Sequence, residues 1–124
     1  MRWLIFRALI GLLFYDLLLC LRGFAALHRW VERCPVSQPG TGTDTLQHIV
    51  DAVHAACTWY PKHALCLQRS AVTTCLLRDS GIPAHMVIGA QRLPFKAHAW
   101  VEVDGRVVND KPETCAMYGV LDRC

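Results

Sequence analysis

Seven cysteines and six histidines stand in a chain of 124 residues, so the first question is which thiol could work as a nucleophile. The stretch "HALCLQRSAVTTCLLRDSG", residues 63–81, reads as one helix that Cys66 opens and whose middle holds Cys75. A thiol at a helix N-terminus faces unpaired backbone N–H groups and the positive end of the dipole, which favours thiolate. The same N–H groups can hold the oxyanion formed when a carbonyl is attacked. Cys75, deep in the helix, has neither benefit and reads as apolar filler. A nucleophilic thiol also needs a base, and the base an orienting group. His98 sits among apolar residues in "KAHAWVEV" beside Trp100, and Asp110 closes "RVVND" in the segment that follows. The competing reading makes His98 a buried imidazole that only satisfies a hydrogen bond.

Whether His98 and Asp110 meet depends on the turn between their strands. A two-residue turn at Asp104-Gly105 pairs Val103 with Arg106, sets His98 opposite Lys111, and sends Asp110 to the other face. A three-residue loop, Val103-Asp104-Gly105, sets His98 opposite Asp110, with Gly105 in a left-handed bulge position. Both registers suit the residues. Only the second assembles a Cys/His/Asp set by strand alternation, so it is the register expected here. Trp100 and Glu102 share the His98 face, where Trp100 either walls a cleft or packs.

The elements that must carry these groups are legible in outline. Residues 1–34 read as one or two very apolar helices. Asp16 and Arg22 interrupt the run, so no apolar stretch approaches the ~20 residues of a membrane span. "LLLC" lacks the small residue of a lipoprotein box, and no A-x-A cleavage site occurs. These helices are expected to dock on the domain or on a partner, with membrane-surface contact as the alternative. "PVSQPGTGT", 35–43, is a loop. Asp44 and Gln47 form a capping pair for a helix whose Leu46, Ile49, Val50, Val53, Cys57 and Tyr60 make one apolar face. On it Cys57 reads as core, and His48 and His54 as solvated; His63, near Cys66, reads as an exposed loop residue. Pro61 ends that helix, and Gly81 with Pro83 ends the next. "AHMVIGAQ" (84–91), "KAHAWVEV" (96–103) and "RVVND" (106–110) read as strands. Helices followed by an antiparallel meander make an α+β domain, with residues 35–124 as its core and a single domain overall.

Composition narrows the function classes. With 53% hydrophobic and 19% charged residues the chain is globular, and its net charge of +3 comes from scattered Arg and Lys. No basic run offers a nucleic-acid footprint. The cysteine count is odd, no C-x-x-C pair occurs, and no second close pair completes a zinc set around His63 and Cys66. Free thiols in a reducing cytoplasm, without metal or cofactor, are the expectation.

The segment "CLQRSAVTTCLLRDSGIPAHMVIGAQRLPFKAHAWVEVDGRVVND" resembles the transglutaminase-like leader peptidase of lasso-peptide biosynthesis, the peptidase half of the so-called B protein. The C-L-x-R-S opening, the R-x-x-G-I-P turn, the V-I-G strand, the F-x-A-H-A-W-V-E strand and the D-G-R-V-x-N-D hairpin stand in that family's order. "LRGFAALHRWV" upstream is similar too, whereas "KPETCAMYGVLDRC" matches less well and leaves Cys115, Cys124 and the last strand unassigned. The resemblance implies a papain/transglutaminase-like α+β fold with Cys66 as nucleophile, His98 as general base and acid, and Asp110 as orienter. Gln68 and Arg69 would have positioning roles.

It further implies a precursor peptide as substrate and a separate ATP-dependent cyclase that takes the freed core. Because residues 1–60 read as apolar helices and a loop, leader recognition is expected from a separate partner protein. Other transglutaminase-like acyl transfer or amidase activity is the enzymatic alternative. A non-enzymatic scaffold for precursor and cyclase is the other. The contrast between the two helix positions yields a test. Cys66→Ala should abolish leader cleavage, and Cys75→Ala should leave its rate within a few-fold; comparable losses would undo the choice of thiol.

Overall fold

A long apolar helix that carries one carboxylate must shelter that carboxylate from hydrocarbon, and the computed structural model shows how. It describes residues 2–37, 45–60, 66–91 and 96–124. Helix α1, Arg2–Arg22, buries Leu4, Ala8, Leu12, Tyr15 and Asp16 along one face. Asp16 accepts hydrogen bonds from the Tyr60 hydroxyl at 2.9 Å and Gln68 Nε2 at 3.3 Å. The charge that breaks the apolar run in sequence is thus an internal anchor, since a buried carboxylate is tolerable only with such donors. By length and composition α1 is apolar enough to cross a membrane, contrary to the expectation drawn from Asp16 and Arg22. Its inner face is built into the protein, and its outer face leaves Trp3 69% exposed together with Phe6, Ile10, Leu13 and Leu17.

Helix α2, Phe24–Arg33, follows Gly23, whose φ of 85° is open to glycine and strained for other residues. Helix α3, Leu46–Trp59, is capped by Thr45, whose hydroxyl accepts from the His48 N–H. The expected capping residue Asp44 lies outside the described residues; Thr45, one position on, occupies the cap because its side chain reaches the third N–H of the helix. Helix α4 spans Cys66–Asp79, as the sequence indicates, and ends at Gly81 with φ 84°. Ala8, Leu12, Leu27, Val31, Val53, Ala56, Ala71 and Val72 from these four helices enclose one core with Met86 of the sheet.

The sheet has the order β3-β2-β1-β4. Strands β1, Ala84–Gln91, and β2, Lys96–Val103, pair antiparallel from Ala84↔Val103 to Gln91↔Lys96. Ala84, Met86 and Val101 face the helical core, so alternation directs Val87, Trp100 and Glu102 to the other side. A short helix α5, Pro112–Cys115, and Tyr118 cover Trp100 there. Strand β4, Gly119–Arg123, returns along the free edge of β1, so the sheet is more than the expected three-strand meander.

The hairpin register differs from expectation. Val103 pairs with Arg106 and Glu102 with Val107, so the connection is the two-residue turn Asp104-Gly105. Both turn residues have positive φ, 53° and 76°, the combination that suits Asp-Gly and matches strand twist. Strand β3 covers only Arg106–Val107, not 106–110. Val108 N–H still donates to Val101 O at 3.0 Å, but the return bond from Val101 N–H goes to Asn109 Oδ1 at 2.9 Å. A side-chain carbonyl takes the place of a backbone one, and the chain leaves the ladder at Asn109. Alternation therefore does not govern Asp110.

One glycine is fixed by close approach. A Cβ on Gly89 would lie 2.7 Å from the Trp100 ring and 2.9 Å from Tyr118 Cβ. Gly89→Ala should destabilise the fold by about 1–3 kcal/mol through overpacking. Thermal unfolding by circular dichroism measures it, and an unchanged midpoint would mean that the Trp100 wall yields freely.

Candidate active site

Helix α4 is tied down along its length, which fixes where its first residue stands. Gln68 bonds to Asp16 of α1, Ser70 Oγ accepts from Asn109 Nδ2 at 3.2 Å, and Arg78 is buried near its end. Arg78 donates to the carbonyls of Ala84 and Val31, joining α4 to β1 and α2. Cys66, at the start of this clamped helix, is half-buried. With Leu67 it borders a cavity of 320 Å³ whose wall also includes His98 and Ala99 of β2, Ile88, and Leu19 and Phe24. The predicted thiol and the predicted base therefore line one apolar hollow.

His98 Nε2 lies 2.5 Å from Asp110 Oδ2, so the two residues meet although the hairpin has the register that strand alternation would exclude. The buried Asn109 amide makes this happen: by bonding Val101 and Ser70 at once it turns the backbone and swings Asp110 onto the imidazole. Asp110 Oδ1 also accepts from the Lys111 N–H at 2.8 Å. Burial by itself would raise the Asp110 carboxyl. The hydrogen bonds from Lys111 and His98, with the nearby charges of His98 and Arg69, outweigh it and hold the carboxyl below its ordinary value. An ionised Asp110 accepts a proton-bearing Nε2, which leaves Nδ1 as the basic nitrogen of a neutral His98.

Outside the cavity, the neighbours of His98 are aromatic and acidic. Tyr118 and Trp100 stand 5.3 and 5.8 Å from the His98 ring, centroid to centroid. Trp100 Nε1 donates to Glu102 Oε2 at 2.9 Å, and its indole lies tilted by 34° to the imidazole. Trp100 is buried with Val87 and Cys115 and is not part of the cavity wall, so of the two readings it fits packing.

A thiol that sequence reading left unassigned lies close by. The ligand atoms of His98, Asp110 and Cys115 are all within 4.8 Å of one another, a nitrogen, oxygen and sulfur set of the kind that can hold a metal ion. Cys115 itself is buried, and burial with the charges of Asp110 and Glu102 pushes its thiol up to about 11. Such a thiol is protonated at neutral pH and a poor nucleophile. The other polar candidates stand apart: His48 and His54 are exposed on α3, and burial raises the half-buried Cys57 thiol. His63 lies outside the described residues. Asn109, which bonds Val101 and Ser70 beside the site, is the residue that sequence reading undervalued, and a polar Asn-Asp pair at the end of an apolar strand is its signal.

A family model described as the transglutaminase-like superfamily matches residues 11–123, and the chain belongs to that superfamily. Its α+β arrangement, helices with a small antiparallel sheet, is the fold class expected from the sequence. The microcin J25-processing protein McjB of Escherichia coli is 47% identical over 47 residues, which cover 38% of this chain and 23% of that protein. The matched segment thus spans about a quarter of that relative. No solved structure matches the chain.

The lowered Asp110 carboxyl makes a stability prediction with a definite sign. Its folded pKa lies below the unfolded value of about 3.9, so its stabilisation is present above that value and is lost as pH falls through the folded one. Asp110→Asn should therefore unfold at lower urea than the parent near pH 6, and the gap should close towards pH 3. A gap constant across that range would contradict the assignment.

Proposed function

We propose that this chain is a cysteine peptidase that removes the leader from a ribosomally made lasso-peptide precursor. The observation that carries the proposal is the His98–Asp110 hydrogen bond beside the cavity that Cys66 and His98 share. The likeness to a microcin J25-processing protein and membership of the transglutaminase-like superfamily support it.

In the reaction, Cys66 transfers its proton to His98 Nδ1 and the thiolate attacks the carbonyl carbon at the leader–core junction. Backbone N–H groups at the start of α4 stabilise the oxyanion. His98 then donates the proton from Nδ1 to the departing core amine, and Asp110 holds the imidazolium through Nε2 in the orientation this requires. Water, deprotonated by the same nitrogen, hydrolyses the thioester and releases the leader as a free acid. Cys66 is preferred to Cys115 as nucleophile because it stands at a helix start on the cavity wall, whereas burial and two nearby carboxylates keep the Cys115 thiol protonated.

Partners follow from the same reading. The likeness to a precursor-processing protein supports leader capture by a separate protein and cyclisation of the released core by an ATP-dependent cyclase. Cytoplasmic action suits free thiols and an ATP-dependent partner.

The test incubates the full chain with its precursor peptide, with and without a leader-binding protein, and follows products by mass spectrometry. Hydrolysis gives a leader fragment one water heavier than its residue sum, and the leader-binding protein should raise the rate at low precursor concentration. Cys66→Ala should remove activity, Asp110→Asn should slow it on the order of 10²–10⁴-fold through the wrong imidazole tautomer, and Cys115→Ala should retain it. An amine adduct in place of the acid would indicate transferase chemistry. Leader removal that persists in Cys66→Ala would indicate a scaffold.

A further inference from the structure

Away from the candidate active site, two thiols approach each other where α2 ends against α4. Cys34 Sγ lies 2.6 Å from Cys75 Sγ, well inside ordinary non-bonded contact and not far outside the ~2.05 Å of a disulfide bond. Both ends are held in place. Arg78 Nη1 donates to the Cys34 carbonyl at 3.3 Å and to Val31 O, while Cys75 sits one turn earlier than Arg78 on the same face of α4. The buried Tyr15 hydroxyl bonds Cys75 Sγ at 2.8 Å from the other side. A surface hollow lined by Trp30, Arg33, Cys34 and Pro35 leads to the first of the two sulfurs, and its arginine suits an anionic oxidant.

From this geometry we infer that Cys34 and Cys75 form a dithiol site that closes to an intramolecular disulfide on reaction with a small disulfide such as glutathione disulfide. The order of attack follows from the environment. The hydrogen bond from Cys75, with help from Tyr15 and the Arg78 charge and against the cost of burial, lowers the Cys34 thiol to about 6; Cys75, more deeply placed, is raised. Cys34 thiolate attacks one glutathione sulfur and expels the other glutathione as thiolate, giving a mixed disulfide. Cys75 then loses its proton to the expelled thiolate and attacks Cys34 Sγ, releasing the second glutathione. Two thiols and one glutathione disulfide become one protein disulfide and two glutathione thiols, a balanced two-electron exchange. The bond would close a loop between residues 41 apart and pin α2 to the helix that bears Cys66.

The experiment equilibrates the full chain in glutathione buffers of rising oxidised fraction, then counts thiols and maps peptides by mass spectrometry. The thiol count should fall by two through a linked Cys34–Cys75 peptide pair, and the melting temperature should rise by at least about 5 °C. Cys34→Ala and Cys75→Ala, tested separately so that a folding defect in one does not decide the matter, should each lack the rise. Two results would overturn the inference: Cys34 and Cys75 peptides that stay reduced or carry only glutathione at the oxidised end, or an equal temperature rise in both variants.

Discussion

A single buried amide organises the candidate active site. Asn109 accepts from Val101 N–H and donates to Ser70 Oγ, so it terminates the β2–β3 ladder, fastens that end of the hairpin to α4, and aims the next residue at His98. Each of its two polar atoms has a specific partner in a place where water cannot substitute, which makes the bond pattern directional as well as stabilising. Had the ladder continued for two more residues, Asp110 would have pointed away. The His98–Asp110 pair is therefore a consequence of where the strand stops.

Helix α4 is the element to which the other parts are fastened. Its first turns take Asp16 through Gln68 and Asn109 through Ser70, its middle contacts Cys34 and Tyr15 through Cys75, and its last turn holds two carbonyls of neighbouring elements through Arg78. Polar groups on a buried helix are costly unless each is matched. Gln68 Nε2, Ser70 and Arg78 are matched to α1, the hairpin end, α2 and β1, which fixes the helix that carries Cys66 at its start. Among the described residues the apolar outer face of α1 stays exposed, which makes it the natural place for contact with another surface.

Much of this was readable from residue types alone. The bounds of α4, β1 and β2 follow from a Gly-Pro stop, an alternating apolar pattern and an Asp-Gly turn, all of which act within a few residues. The candidate thiol, imidazole and carboxylate were also nameable by residue type, sharpened by the resemblance of residues 66–110 to one peptidase family. Local signals reached the motif, the fold class and the family.

What they did not reach depends on contacts far apart in the chain. The turn register came out opposite to the one chosen, because the choice assumed that strand alternation must carry Asp110 to His98. An amide bridging to Ser70, on a helix 39 positions away, does it instead. Asp16 looked like a break in an apolar helix and is an internal acceptor for Tyr60 and Gln68. Cys75 looked like filler and lies against Cys34, and Cys115 carried no signal at all until α5 folded it under Trp100. Sequence determines propensity and periodicity, which are properties of neighbours. Which donor meets which acceptor across the core is decided by packing, and only the tertiary structure contains it.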